Sequence, residues 1–261
     1  MKVLSLALVL GAMSVATASA QSVKICDDEA GWPPYVYNPI ENGKADKSKI
    51  EGAAIDFVNR IFEEVGLEHS TELLPWKRCL AEVENFGDRG NFEMFQNGSY
   101  NAERTKIYYI SESIYETGRG LFYSTKKFPD GLDVNSVEDA KKYKVCGVHG
   151  YNYIDWNLAD NQIETSAKST EQALKKVAAG RCDVVPSAIE PIYGSAAIGK
   201  PIVPNGVKPH VVEFLDKTTF HIYIAKTSPR GEELRDKINA AIKKLRADGT
   251  HEKIFSQYLN F

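Results

Sequence analysis

The residue best suited to recognition chemistry is Arg104, in the stretch NGSYNAERTKIYYIS at residues 97–111. It follows a short polar turn and precedes Ile107, Tyr108, Tyr109 and Ile110, which read as a strand. A guanidinium is a planar fork of donors matched to a carboxylate. Set after neutral polar residues and before an anchored strand, Arg104 is expected to point into a cleft and grip a carboxylate there. The plainer alternative is a surface arginine paired with Glu103 or Glu112.

The other chemistry-bearing residues carry less. The run Asp27-Asp28-Glu29 has the residue types of an acid–base or cation site, but such clusters are usually solvated, and this one is read that way. GVHGYN at 147–152 lacks the lysine and the spacing of a phosphate loop and reads as a turn at a strand end. The five histidines, His69, His149, His210, His221 and His251, are scattered, and no Cys-x-x-Cys spacing occurs. Neither a metal nor a cofactor is expected. With no nucleophile elbow and no Ser/His/Asp or Cys/His arrangement, the chain reads as a binder and not an enzyme. Cys26, Cys79, Cys146 and Cys182 form an even set, which favours disulfides in an oxidising compartment.

The compartment is written at the start of the chain. MKVLSLALVLGAMSVATASA gives Lys2, an apolar run from Val3 to Val15 and then Ala18-Ser19-Ala20, the pattern of a signal peptide cleaved after Ala20. The run is shorter than the roughly 20 residues that span a bilayer. Cys26 lacks the small-residue context of a lipoprotein signal. The mature chain is therefore expected free in the periplasm, with no membrane insertion. A net charge of −3, from 32 basic and 35 acidic residues that are interspersed, gives no basic stripe for nucleic acid.

The elements that must position Arg104 alternate. SVKIC, TELLPW and NFEMF read as strands. GAAIDFVNRIFEEVG is a helix with Ile55, Val58, Phe62 and Val65 on one face and Gly66 at its stop, and WKRCLAEVENFG is a helix with Trp76, Cys79, Leu80 and Val83 on one stripe. After LFYS the alternation restarts with YKVCGV, the helix STEQALKKVAAG with a Ser169–Gln172 capping box, and CDVVP. The strand FHIYIAK and a helix carrying Leu234, Ile238, Ile242 and Leu245 close the chain. Alternation of this kind implies α/β architecture. Two such sets and a return segment imply two lobes joined by two crossings, with the ligand site between them.

WPPYVY, EGAAIDFVNRIFEEVG, NGSYNAERTKIYYIS and INAAIKKLRADGTHEKIFSQYL, in that order, make the chain resemble the family 3 extracytoplasmic solute-binding proteins, receptors of amino-acid ABC importers. The resemblance implies a two-lobed α/β fold of the type II periplasmic-binding-protein class with a two-strand hinge. Lobe 1 would hold residues 21–118 and 220–261, and lobe 2 residues 119–219. It implies a monomer that takes a small carboxylate-bearing ligand and works with an importer's membrane subunits. The carboxylate grip falls on Arg104, with donors from Asn97, Gly98 and Ser99. The aromatic sandwich falls on Trp32 or Tyr35 with Trp76, and the second lobe's anion-contacting turn on Gly150, Tyr151 and Asn152. Where the family has an aspartate for the ligand's ammonium, this chain has Ala188, and Glu190 would substitute if its strand runs that far. Within these lobes the expected disulfides are Cys26–Cys79 and Cys146–Cys182. Rival readings are a prephenate-type dehydratase on the same fold and a ligand-presenting partner of a membrane sensor.

Overall fold

A computed structural model describes residues 22–158 and 160–259. The signal segment expected over residues 1–20 lies outside them. The first unit begins with β1 (Val23–Asp28) and a small hairpin, β2 (Ile40–Glu41) and β3 (Lys44–Ala45). It continues through α1 (Ala53–Val65), β4 (His69–Leu74), α2 (Trp76–Glu84), α3 (Phe86–Arg89), β5 (Met94–Ser99), β6 (Tyr108–Ile110) and β7 (Tyr115–Thr117). The second comprises β8 (Arg119–Ser124), α4 (Val137–Ala140), β9 (Val145–Val148), β10 (Ile163–Ala167), α5 (Thr170–Ala178), β11 (Val184–Ala188), α6 (Ile189–Ala197) and β12 (Val207–Val212). The chain then returns with β13 (Thr218–Ala225), α7 (Gly231–Ala247) and α8 (Thr250–Tyr258).

Two sheets result. The first has the order β4-β1-β5-β13-β6, with β7 also paired to β13; β1 runs parallel to β4 and β5, and β13 antiparallel to its neighbours. The second has the order β10-β9-β11-β8-β12. We call the units built on them lobe 1 and lobe 2. The chain crosses between them at Gly118 and again over residues 213–217.

Burial explains the elements. Helix α1 lays Ala54, Phe57, Val58, Ile61 and Phe62 into the core of the first sheet, a wider stripe than the spacing predicts because α7 and α8 also pack on it. It stops at Gly66, whose φ of 73° suits glycine and whose N–H caps the Phe62 and Glu63 carbonyls. On the opposite face Cys79 and Val83 of α2 pack with Cys26, Phe95 and Tyr223. Lobe 2 repeats the arrangement, with Ala173, Leu174 and Val177 of α5 on one face of its sheet and Trp156 and Ala140 on the other. Cys26 pairs with Cys79 and Cys146 with Cys182, at Cα separations of 5.7 and 5.8 Å, so each pair lies within one lobe. Among the described residues no helix is long and apolar enough to cross a membrane.

Two local expectations need correction. Asn97, Gly98 and Ser99 belong to the end of β5 and not to a turn, because β13 pairs with Gly98 and Ser99 through His221 and Phe220. The turn comes later, as a 3-10 helix over Ala102–Lys106 capped by the Asn101 side chain. The strand CDVVP does not extend to Glu190: β11 ends at Ala188, and α6 begins at Ile189.

Candidate functional site

A cavity of about 100 Å³ lies where the lobes meet. Lobe 1 lines it with Asp27, Asp28, Trp32, Trp76, Asn97, Ser99, Thr218 and Phe220, and lobe 2 with Arg119, Tyr151, Asn152, Tyr153, Trp156, Pro186, Ser187 and Ala188. The lobe 1 residues sit at the carboxyl ends of β1 and β5, at the start of α2, and on β13, where that strand crosses the sheet. The ends of parallel strands are where an open α/β sheet presents a ligand crevice.

The lobes are closed on this cavity. The Tyr151 hydroxyl donates to Asp28 Oδ2 at 2.9 Å, and Trp76 Nε1 donates to the Gly150 carbonyl at 3.2 Å. Asn152 Nδ2 donates to Ser99 Oγ at 3.2 Å and to the Tyr100 carbonyl at 2.7 Å, while its Oδ1 accepts from Asn101 Nδ2 at 3.2 Å. Trp32 meets Tyr151 edge to face, with ring centroids 5.8 Å apart.

The acids of the cavity are not solvated, contrary to the reading of Asp27-Asp28-Glu29 as a surface cluster. Strand β1 is a central strand buried along most of its length, and it carries its two terminal aspartates into the interior: Asp27 is 1% and Asp28 6% exposed. Asp27 accepts from the Asp28 N–H at 2.7 Å and from Asn97 Nδ2, and Asn97 Oδ1 in turn accepts from the Tyr115 hydroxyl at 2.9 Å. Burial pushes the Asp27 carboxyl up to about 8 despite these donors. Burial likewise raises Asp28 to about 6, opposed by the Ala30 N–H and the Tyr151 hydroxyl. Near neutral pH the first holds its proton and the second is largely ionised.

Of the residues singled out in the sequence, Asn97, Ser99, Trp32, Trp76, Tyr151 and Asn152 come together around the cavity, while Arg104, Tyr35, Gly98, Gly150 and Glu190 stand outside its lining. Arg104 is one layer away: Nη1 donates to the Ser99 carbonyl at 3.2 Å, and its guanidinium lies 5.9 Å from the ring centroids of Trp76 and Phe95 and 5.6 Å from that of Tyr223. Tyr35 is core, stacked on Tyr115 at 3.8 Å. Gly98 gives room to the Phe95–Tyr223 stack, where a Cβ would come within 2.5 Å of Tyr223 Cε2. Gly150 joins the cross-lobe contacts through its carbonyl. Glu190 turns to the crossing, where both its oxygens accept from the Gly118 N–H at 2.9 and 3.0 Å.

The sequence reading did not place Arg119, Tyr153, Trp156, Ser187, Thr218 or Phe220 in the site. Arg119 had a signal, a lone arginine between Gly118 and Gly120 at a crossing. The others are ordinary strand and loop residues whose role depends on how the lobes meet.

Residues 25–261 match the family described as bacterial extracellular solute-binding proteins, family 3. The chain is 27% identical over 233 residues to the probable amino-acid-binding protein YxeM of Bacillus subtilis (strain 168), covering 87% of this chain and 80% of that protein. Among solved structures it resembles a histidine kinase sensor domain with similarity to periplasmic binding proteins, with a TM-score of 0.73 at 18% identity, covering 93% of this chain and 97% of that one. It also resembles the substrate-binding protein of an amino acid ABC transporter, with a TM-score of 0.70 at 17% identity over 92% of this chain and all of that one (100%).

Proposed function

Because the chain belongs to the bacterial extracellular solute-binding proteins of family 3, we propose that it captures a small amino-acid-type solute outside the cytoplasm by closing two lobes over it, and passes it to an ABC importer. The observation that carries this reading is the set of cross-lobe hydrogen bonds that tie Asp28, Trp76, Ser99 and Tyr100 to Gly150, Tyr151 and Asn152 around the cavity. In this reading the ligand's carboxylate takes donors from Ser99 and Asn97, with Arg104 reaching it along the Ser99 edge and Asn152 holding Ser99 in place from lobe 2. Its ammonium faces Asp28, which supplies the negative charge that Ala188 cannot. Trp32 and Trp76 shield both from water. Glu116–Arg119 and Leu215–Thr219 form the hinge, and the signal segment is removed after Ala20.

A thermal-shift screen of amino acids, dipeptides and organic acids tests it. A ligand at 100 times its Kd stabilises the folded protein by about 2.7 kcal/mol. Small-angle scattering with that ligand is expected to show a smaller radius of gyration, and mass spectrometry of the released ligand an unchanged molecule. Co-purification from detergent-solubilised membranes is expected to retain transporter subunits. No shift with any amino acid, or turnover of the bound molecule, would sink the reading.

A further inference from the structure

Arg119, at the end of the proposed hinge segment, lines the cavity and has no ligand role in the function proposed above. Its Nε donates to the Asp216 carbonyl at 2.5 Å and its Nη2 to Asp155 Oδ2 at 2.6 Å. These bonds use two of the five N–H groups of a guanidinium. Among the described residues Nη1 has no protein acceptor, although the side chain is only 13% exposed and lines the cavity. These donors have no protein acceptor and border the cavity, so an acceptor on a bound molecule can take them. Among the described residues that line this cavity, Arg119 is the one basic side chain.

Its surroundings point the same way. Strand β8 pairs with β11 so that Arg119 lies directly opposite Ala188, and residues paired in this way share a face of the sheet. Both line the cavity, so on the lobe 2 wall the guanidinium has a methyl group as its cross-strand neighbour. Its counter-ion, Asp155, belongs to the 3-10 turn Ile154–Trp156, is 42% exposed and lies outside the lining. The cavity is thus polarised, with Asp27 and Asp28 on the lobe 1 wall and a partly satisfied guanidinium on the lobe 2 wall.

We propose that Arg119 is a second anion-binding point of the cleft, so that the ligand is an amino acid with an acidic side chain. The assignment rests on the solute-binding reading. The side-chain carboxylate takes the free Nη1 donors, the ammonium faces Asp28, and the backbone carboxylate lies along Ser99. A zwitterion with one extra negative charge matches this cavity because Asp27 holds its proton.

Calorimetry with L-glutamate, L-glutamine, L-aspartate and L-asparagine tests the proposal on wild type, Arg119→Gln and Arg119→Lys. Wild type is expected to favour the acidic member of a pair by about thirtyfold or more, the loss that follows when a buried charge pair lacks one partner. Arg119→Gln is expected to abolish the preference, and Arg119→Lys to keep part of it. Loss of the tie to Asp216 lowers both affinities together, so the acid-to-amide ratio isolates ligand contact from a structural role. Equal binding of acid and amide by wild type, or a ratio unchanged in Arg119→Gln, would overturn the proposal and leave Arg119 a strut between the crossings. Binding of other amino acids in place of these four would overturn it as well, with the solute-binding reading intact. If no amino acid binds at all, both fall.

Discussion

Lobe 1 meets the cleft with the buried ends of two central strands, whereas lobe 2 adds to the ends of β8 and β11 the loop that carries Tyr151–Trp156 between β9 and β10. The lobe 1 wall is fixed by bonds within its own lobe, from the Asp28 N–H and Asn97 to Asp27 and from Tyr115 to Asn97. The loop on the lobe 2 wall spends Tyr151 and Asn152 on partners across the cleft. One wall is organised before the lobes meet; the other completes its hydrogen bonds by meeting. Changes in lobe 1 should therefore register in the stability of the ligand-free protein, and changes in lobe 2 in closure and release.

The largest effect that separates the walls is pH linkage at Asp27. Its folded carboxyl titrates at about 8, against 3.8 ordinarily, so the folded protein holds this proton where the unfolded chain has lost it. Stability is then fully present below about 4 and falls as pH rises towards 8, by an amount on the order of 4–6 kcal/mol. Asp27→Asn removes that slope and keeps a hydrogen-bonding side chain, with the Asn97 amide turned over and the Tyr115 oxygen as its acceptor. Thermal unfolding from pH 4 to 8 should be flatter in the variant, with a higher Tm at pH 8. An identical pH profile for variant and wild type would mean that Asp27 is hydrated after all.

Arg104→Ala comes next. In the proposed site it removes a charge-assisted contact to the ligand's carboxylate, at a cost of about 2–5 kcal/mol of affinity by calorimetry. Arg104→Lys should bind poorly too, since a point charge does not reproduce a fork. Affinity within about twofold of wild type would confine this arginine to its packing among Trp76, Phe95 and Tyr223, and would sharpen the case for Arg119 as the carboxylate's partner.

How much of this was legible in the sequence follows the same division. The α/β alternation and the first helix with Gly66 at its end are local patterns, written in hydrophobic periodicity and in turn residues, whereas Asn97, Ser99, Trp32, Trp76, Tyr151 and Asn152 were placed through the family resemblance. The acids were legible as types and were misjudged, because three consecutive acidic residues look solvated until β1 is known to be a central strand. Glu190 failed for the converse reason. Nothing in CDVVPSAIE marks Ala188 as the end of a strand, and the helix that starts at Ile189 turns the carboxylate to the crossing. Arg119 lies at a crossing between the lobes, and its exposure to the cavity depends on the register between β8 and β11, which no short stretch encodes.

A smaller effect tests closure without touching the cavity. Gly194 of α6 lies against lobe 1 so closely that a Cβ there would stand 2.6 Å from the Pro33 carbonyl oxygen and 2.7 Å from the Pro34 nitrogen. Pro33 follows Trp32 of the cleft, and neither contacting atom belongs to a side chain free to move aside. Gly194→Ala should therefore wedge the closed form, costing about 1–3 kcal/mol in the way of other overpacked sites. The expected signature is a faster ligand off-rate, with the Tm of the ligand-free protein nearly unchanged. A large drop in that Tm would show that α6 stays seated on lobe 1 in the open form too.

The smallest change is Tyr151→Phe, which removes one cross-lobe bond and keeps the ring against Trp32. The hydroxyl donates to Asp28, whose carboxyl is raised by burial to about 6 and is held from rising further in part by that donor. Above pH 6 the bond is made to an ionised acceptor, and it is worth about 1.5–3 kcal/mol. Below it the carboxyl is protonated and the bond is an ordinary one, worth about 1 kcal/mol. The loss of ligand affinity should accordingly be larger at pH 8 than at pH 5, while the ligand-free Tm moves little at either. Without its donor Asp28 should also titrate higher, which NMR of the carboxyl carbon would read directly. Equal losses of only about 1 kcal/mol at both pH values would mean that Asp28 stays protonated throughout, leaving the lobe 1 wall without the charge that the proposed ammonium contact requires.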